Sequence, residues 1–171
     1  MDVRAQGQSM RTTATNGIRF VTNGPDVRTV RQLFLEYQSA IGIDLCFQDF
    51  TRELRDLPGE YAPPSGRLLL AVSGGDAAGC AAMRKIGEEV CELKRMYIRP
   101  KHRGKGIGRI MAELMIDEAR KLGYKRMRLD TLSTMKEAIG LYESLGFIDI
   151  PAYRYNPISG ARYMELALSS G

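Results

Sequence analysis

The stretch Arg103-Gly104-Lys105-Gly106-Ile107-Gly108 combines residue types suited to holding a phosphate. Its glycines let the backbone turn tightly and approach a ligand closely. A helical pattern follows at once. The first amides of a helix have no helical acceptor, and the positive end of the helix dipole lies there. Arg103, Lys105 and Arg109 add charge for a pyrophosphate or a ribose phosphate. Two familiar phosphate motifs do not fit. The P-loop spacing ending in Gly-Lys-Ser/Thr is absent, and a dinucleotide fingerprint counted from Gly104 would need glycine where Arg109 stands. A tight turn with no ligand is the plain alternative.

The surrounding pattern supplies a strand before this turn and a helix after it. Val90 to Ile98 reads as a strand ended by Pro100. Regular alternation would put Leu93 and Tyr97 on one face and Met96, Ile98 and Glu92 on the other; a bulge would alter that register. Gly106 to Leu122 reads as an amphipathic helix with the stripe Ile107, Ile110, Met111, Leu114, Met115 and Ala119, and Gly123 suits its C-cap. Upstream, strands are expected at 18–21, 67–72 and 77–84, the last two joined by the hairpin signal Ser73-Gly74-Gly75-Asp76, with 85–88 as a polar connector. Helical spacing runs from Val27 to Ile41 after the punctuation Gly24-Pro25-Asp26, proline being tolerated in a first turn, and a second helix is expected from Phe47 to Leu57. Downstream come a strand at 127–130, a helix at 136–145, strands at 147–150 and 161–168, and a loop at 151–160 between those two. Strands mixed with helices and one hairpin imply an α/β (α+β) domain, a mixed sheet covered by helices.

Composition narrows the classes. A chain of 171 residues with 44% hydrophobic residues is long enough for one well-buried core. Residues 1–17 are polar, with no apolar signal segment, and read as a disordered tail ahead of one domain at 18–168. The longest apolar runs, such as Leu68 to Val72, are far too short to span a bilayer, so no membrane partner is expected. Cys46, Cys80 and Cys91 show no ligand spacing and read as buried free thiols of a cytoplasmic protein, with no metal. The net charge of +5 includes a cluster at Lys94, Arg95, Arg99, Lys101, Arg103, Lys105 and Arg109. It lacks the interleaved aromatics of a single-strand binder, so a phosphate-bearing small ligand accounts for it better than nucleic acid.

Leu93-Lys94-Arg95-Met96-Tyr97-Ile98-Arg99-Pro100, followed by the glycine turn, resembles the signature of the GNAT N-acetyltransferase superfamily. The family pattern is arginine or glutamine, two residues, glycine, one residue, then glycine or alanine; it falls on Arg103, Gly106 and Gly108. Ala138-Ile139-Gly140-Leu141-Tyr142-Glu143-Ser144-Leu145-Gly146-Phe147 resembles the family's last catalytic motif. Motif identity covers residues 93–147; the order of elements is similar from 18 to 168.

The resemblance implies a mixed, mostly antiparallel sheet whose two parallel central strands, 90–98 and 127–130, splay apart to admit a thioester. It implies acetyl-CoA as donor and direct attack by a primary amine of a small molecule or peptide in a ternary complex. The cofactor contacts would be Met96, Tyr97 and Ile98 along the strand and Arg103, Gly104, Lys105, Gly106, Ile107, Gly108 and Arg109 at the turn. An amide near Met96 or Tyr97 would stabilise the oxyanion. Tyr142 would protonate the leaving thiolate; on its own it reads as a core tyrosine. Met135 stands where the family often has asparagine, which removes one polar contact.

Glu92 is the leading general base, with Glu89 and Asp130 as alternatives and a structural salt bridge as the plain reading. His102 adjoins the turn as a cofactor contact or an exposed loop residue. Acceptor candidates are Tyr37, Asp44, Phe47, Tyr61 and Tyr155, with Asp49 and Tyr153 behind them. A homodimer through the last strands is one expected assembly. The rival functions are a non-catalytic coenzyme A-binding regulatory module and, further off, a basic nucleic-acid-binding module.

Overall fold

The computed structural model describes residues 17–45 and 49–168. The tail expectation for 1–16, Cys46 and Phe47 lie outside them. One seven-stranded sheet runs in the order β1-β2-β3-β4-β5-β7-β6. Its strands are β1 (Gly17–Phe20), β2 (Arg67–Ser73), β3 (Asp76–Gly87), β4 (Val90–Ile98), β5 (Arg126–Leu132), β6 (Ile148–Ile150) and β7 (Ala161–Ala167). The helices are α1 (Pro25–Ile41), α2 (Phe50–Asp56), α3 (Ile107–Lys121) and α4 (Lys136–Ser144). All neighbouring strands are antiparallel except β4 and β5.

The helices cover both faces. Leu33 and Phe34 of α1 pack with Leu68, Leu70, Cys80, Ala82 and Tyr97 on one face. Met111, Met115 and Ala119 of α3 and Tyr142 of α4 pack with Leu69, Met83, Leu93, Met127 and Leu129 on the other. The α3 stripe differs from expectation in one member: Ile110 is exposed, while Ala112 and Ile116 are buried. The 85–88 connector is corrected as well, because β3 continues to Gly87 and pairs with Val90. Cys80 and Cys91 are buried free thiols, as expected.

Two irregularities shape the middle of the sheet. First, β3 and β4 pair Cys80 with Tyr97 but Ala82 with Lys94, so β4 carries an extra residue opposite Ala81. Arg95 takes the left-handed conformation there, φ 56°. This bulge overturns the regular alternation: Leu93 joins Met96 and Ile98 on the α3 face, and Tyr97 lies on the α1 face. Second, β4 and β5 pair only through Val90–Arg126, Cys91–Met127 and Glu92–Arg128. Beyond them the two strands part, β5 continuing its pairing with β7. Gly79 holds β3 tight against β4; a Cβ there would strike the Tyr97 carbonyl and stand 2.7 Å from Ile98 Cδ1.

Candidate active site

The parted strands open a cleft of about 710 Å³. One wall is β4, through Met96, Tyr97 and Ile98; the outer end is the turn, through Arg103, Gly104, Gly106, Ile107 and Gly108. The opposite wall is Leu132 and the start of α4, with Ala138, Leu141 and Tyr142. Eight of the ten expected cofactor contacts therefore line one cleft. Lys105 and Arg109 do not: Arg109 donates to Ser144 Oγ at 2.7 Å and lies 3.7 Å from Glu113.

The turn forms as its glycines dictate. Gly104 and Gly106 have φ of 78° and 79°, and a Cβ on either would meet open space. The left-handed backbone therefore demands glycine, and nothing crowds the approach of a ligand. Arg103 donates from Nε to the Ile98 carbonyl at 3.0 Å, tying the turn to the end of β4. The basic cluster behind the turn is largely answered within the protein. Arg95 pairs with Glu53 at 2.8 Å, Arg99 with Glu36 at 2.8 Å and Lys101 with Asp76 at 2.8 Å. That corrects its reading as charge held for a ligand. His102 is buried beside the turn with neither ring nitrogen hydrogen-bonded, and it does not line the cleft.

At the inner end a second cavity of about 50 Å³ fills the gap between β4 and β5. Tyr37, Ile41, Met96, Leu132, Met135 and Tyr142 border both spaces. Lys94 and Arg95 stand on its β4 side, Asp130 and Thr131 on its β5 side, and Asn156 and Ile158 come from the 151–160 loop. Asn156 Nδ2 donates to Asp130 Oδ2 at 3.4 Å. Met135 lines both spaces, so a thioether occupies the position where the resemblance implies an asparagine carboxamide. Tyr142 is buried against Phe147, ring centroids 5.7 Å apart. Burial pushes its hydroxyl well above the usual phenol range, so it carries its proton at neutral pH.

Glu92 is not in either space. It is fully buried on the Lys94 side of the sheet, where the bulge leaves it. It accepts from Arg84 Nε at 3.0 Å and Tyr153 Oη at 2.6 Å, contacts Arg154, and lies 3.7 Å from Lys94 Nζ. A carboxylate so enclosed has neither the access nor the spare lone pairs of a base. The salt-bridge reading fits it, and Asp130 is the carboxylate that faces the cavity.

Of the acceptor candidates among the described residues, only Tyr37 lines the cleft. Asp44 is exposed on the chain after α1 and does not line either cavity. Tyr61 is buried edge-on to Phe34 at 6.2 Å, and Tyr155 is 79% exposed. Lys94 and Asn156 were missed. In the sequence Lys94 looks like one more surface cation, and nothing local shows that its strand is buried on both faces. Among the described residues no cluster of histidine, cysteine and carboxylate groups suits a metal, and no helix is long and apolar enough to cross a membrane.

A sequence profile of the acetyltransferase (GNAT) family matches residues 28–147. An uncharacterised N-acetyltransferase of Schizosaccharomyces pombe is 40% identical over 146 residues, covering 84% of this chain and 90% of its own. An acetyltransferase of Streptococcus agalactiae superposes with a TM-score of 0.73 at 23% identity, over 88% of this chain and 97% of that one. An acetyltransferase of Salmonella typhimurium, solved with its cofactor acetyl-CoA, superposes with a TM-score of 0.63 at 23% identity, over 91% and 95%.

Proposed function

Because the chain belongs to the acetyltransferase (GNAT) family, we propose that it transfers acetyl from acetyl-CoA to a primary amine by direct attack in a ternary complex. The observation that carries this is the continuous path from the glycine turn, along the parted edge of β4, to a cavity holding a carboxylate and a buried tyrosine. Phosphates of the donor belong at the amides of Gly104 to Gly108, where left-handed glycines leave room. The pantetheine arm, an amide-bearing chain, suits the β4 edge that β5 leaves unpaired after Glu92.

The acceptor nitrogen attacks the thioester carbonyl carbon, and Asp130 takes its proton, directly or through a water. The carbonyl oxygen gains negative charge as the tetrahedral intermediate forms. The bulge leaves Met96 without a partner in the β3 register, so its amide is the oxyanion donor of choice. The carbon–sulfur bond then breaks, and Tyr142 gives a proton to the departing sulfur. Since burial makes Tyr142 a weak acid, its main work is a hydrogen bond to sulfur as charge develops there, with transfer completing as the thiol forms.

The test is coenzyme A release from acetyl-CoA against a panel of amines and peptides, with the product mass read out. Binding of acetyl-CoA without thiol release on any acceptor would leave a binding module. No binding at all would remove the reading.

A further inference from the structure

Beneath the acceptor cavity, three cations share one buried carboxylate. Arg84, Lys94 and Arg154 all address the single buried carboxylate of Glu92. Arg84 also meets the exposed Glu60 at 2.6 Å. Arg95, next along the strand, is matched by Glu53, which it grips with two hydrogen bonds of 2.8 and 3.1 Å. Asp130 stands across the cavity on β5, held by Asn156.

Crowding cations together in a buried place is costly. Two groups register the cost. Burial, then Arg95 and Arg84, bring the Lys94 ammonium down to about 7. Burial and Arg84 push even the Arg154 guanidinium down to about 10. Of the three cations on Glu92, Lys94 is the one that also lines the cavity. The cavity thus has a cation on the β4 wall and a carboxylate on the β5 wall. Its small volume, about 50 Å³, suits a compact ligand.

We propose that the acceptor is a small amine that also bears a carboxylate, an amino-acid-like zwitterion whose amine end meets Asp130 and whose carboxylate meets Lys94. This rests on the transfer reading above and adds the class of acceptor. Asp130 draws in the ammonium and takes its proton, and Lys94 anchors the other end. The ligand's two charges complement the two walls.

The test compares each of several small amino acids with its own amide and its decarboxylated amine, at saturating acetyl-CoA, by initial rates of thiol release. The amide is the sharper control, because its amine is less basic and more of it is free to attack at neutral pH. The acid is expected to have the lower acceptor KM by about tenfold to a hundredfold, the range of one charge-assisted hydrogen bond. In Lys94→Met that preference should collapse toward unity, with coenzyme A affinity and the far-ultraviolet circular dichroism spectrum as in wild type. Equal or better use of the amides and decarboxylated amines by wild type would overturn the proposal, and that comparison needs no variant. So would a preference that persists in a folded Lys94→Met protein. Acetyl-CoA binding without thiol release on any amine would instead remove the transfer reading, and this inference with it.

Discussion

Glu92→Gln is expected to weaken the fold far more than the chemistry. Glu92 has no exposed surface and is the shared partner of Arg84 at 3.0 Å, Lys94 at 3.7 Å, Arg154, and the Tyr153 hydroxyl at 2.6 Å. Neutralising it takes the shared carboxylate from three cations, of which Arg84 keeps the exposed Glu60. Breaking a buried ion pair from one side costs about 3–5 kcal/mol. Glutamine keeps one acceptor oxygen, which argues for the lower end, about 3 kcal/mol. In a chain of this size each kcal/mol moves the melting midpoint by about 2–4 °C, so the midpoint should fall by roughly 6–12 °C. The companion change, Asp130→Asn, removes the carboxylate that faces the cavity and breaks no ion pair. It should leave melting near wild type and lower kcat by about a hundredfold or more. Thermal melts by circular dichroism, with initial rates taken well below both midpoints, separate the two. A Glu92→Gln protein that melts like wild type, binds coenzyme A normally and has lost its turnover would refute this assignment and return the base to Glu92.

Three further outcomes follow from the same geometry. Tyr142→Phe keeps the ring packed on Phe147 and should lower kcat by about a hundredfold without changing the dissociation constant of coenzyme A by calorimetry; an unchanged kcat would leave Tyr142 a core residue. Gly79→Ala drives a methyl into the Tyr97 carbonyl and to 2.7 Å from Ile98 Cδ1, so β3 must back away from β4. A loss of about 1–3 kcal/mol or more in denaturant unfolding is expected. For Lys94 the folded ammonium titrates at about 7 and an unfolded lysine at about 10.4. Between these values the unfolded chain holds a proton that the folded protein has shed, so Lys94 makes stability rise with pH across that window. Among the groups around it are Glu92 and Arg95 on its own strand, Arg84 on β3, Glu53 on α2 and Asp130 on β5. Wild type should therefore gain stability relative to Lys94→Met from about pH 7 to 10. A constant difference between their melting midpoints over that range would contradict it.

The donor half of the site was legible because local sequence makes it. A left-handed turn needs Gly104 and Gly106, a helix start needs the pattern that begins at Ile107, and both are written within a few residues. The proposed acceptor half is made by distant pieces: Lys94 on β4, Asp130 on β5 and Asn156 on the loop before β7 come together only when the sheet closes. The loop is fastened by contacts no local pattern announces. Tyr153 and Arg154 reach Glu92, and the Tyr163 hydroxyl donates to the Arg154 carbonyl at 3.1 Å. Charge was equally opaque. Arg95, Arg99 and Lys101 read as a cationic surface until Glu53, Glu36 and Asp76, from 25 to 63 residues away, are seen to pair with them.

The bulge at Arg95 ties these halves together. In a regular strand, residues an even number apart share a face, so Glu92 would lie beside Met96 and Ile98. The extra residue sends Met96 and Ile98 to the α3 face with Leu93 and leaves Glu92 on the other side with Lys94 and Tyr97. The same irregularity releases Met96 from the β3 ladder, just past the point where β5 leaves β4. The proposed oxyanion amide, the apolar wall proposed for the donor arm and the cation proposed at the acceptor end thus all follow from one left-handed residue. Its guanidinium is pinned by Glu53 and stacked 5.0 Å over the Phe50 ring. These contacts with α2 hold the bulge, so α2 shapes the reaction centre from outside the cleft.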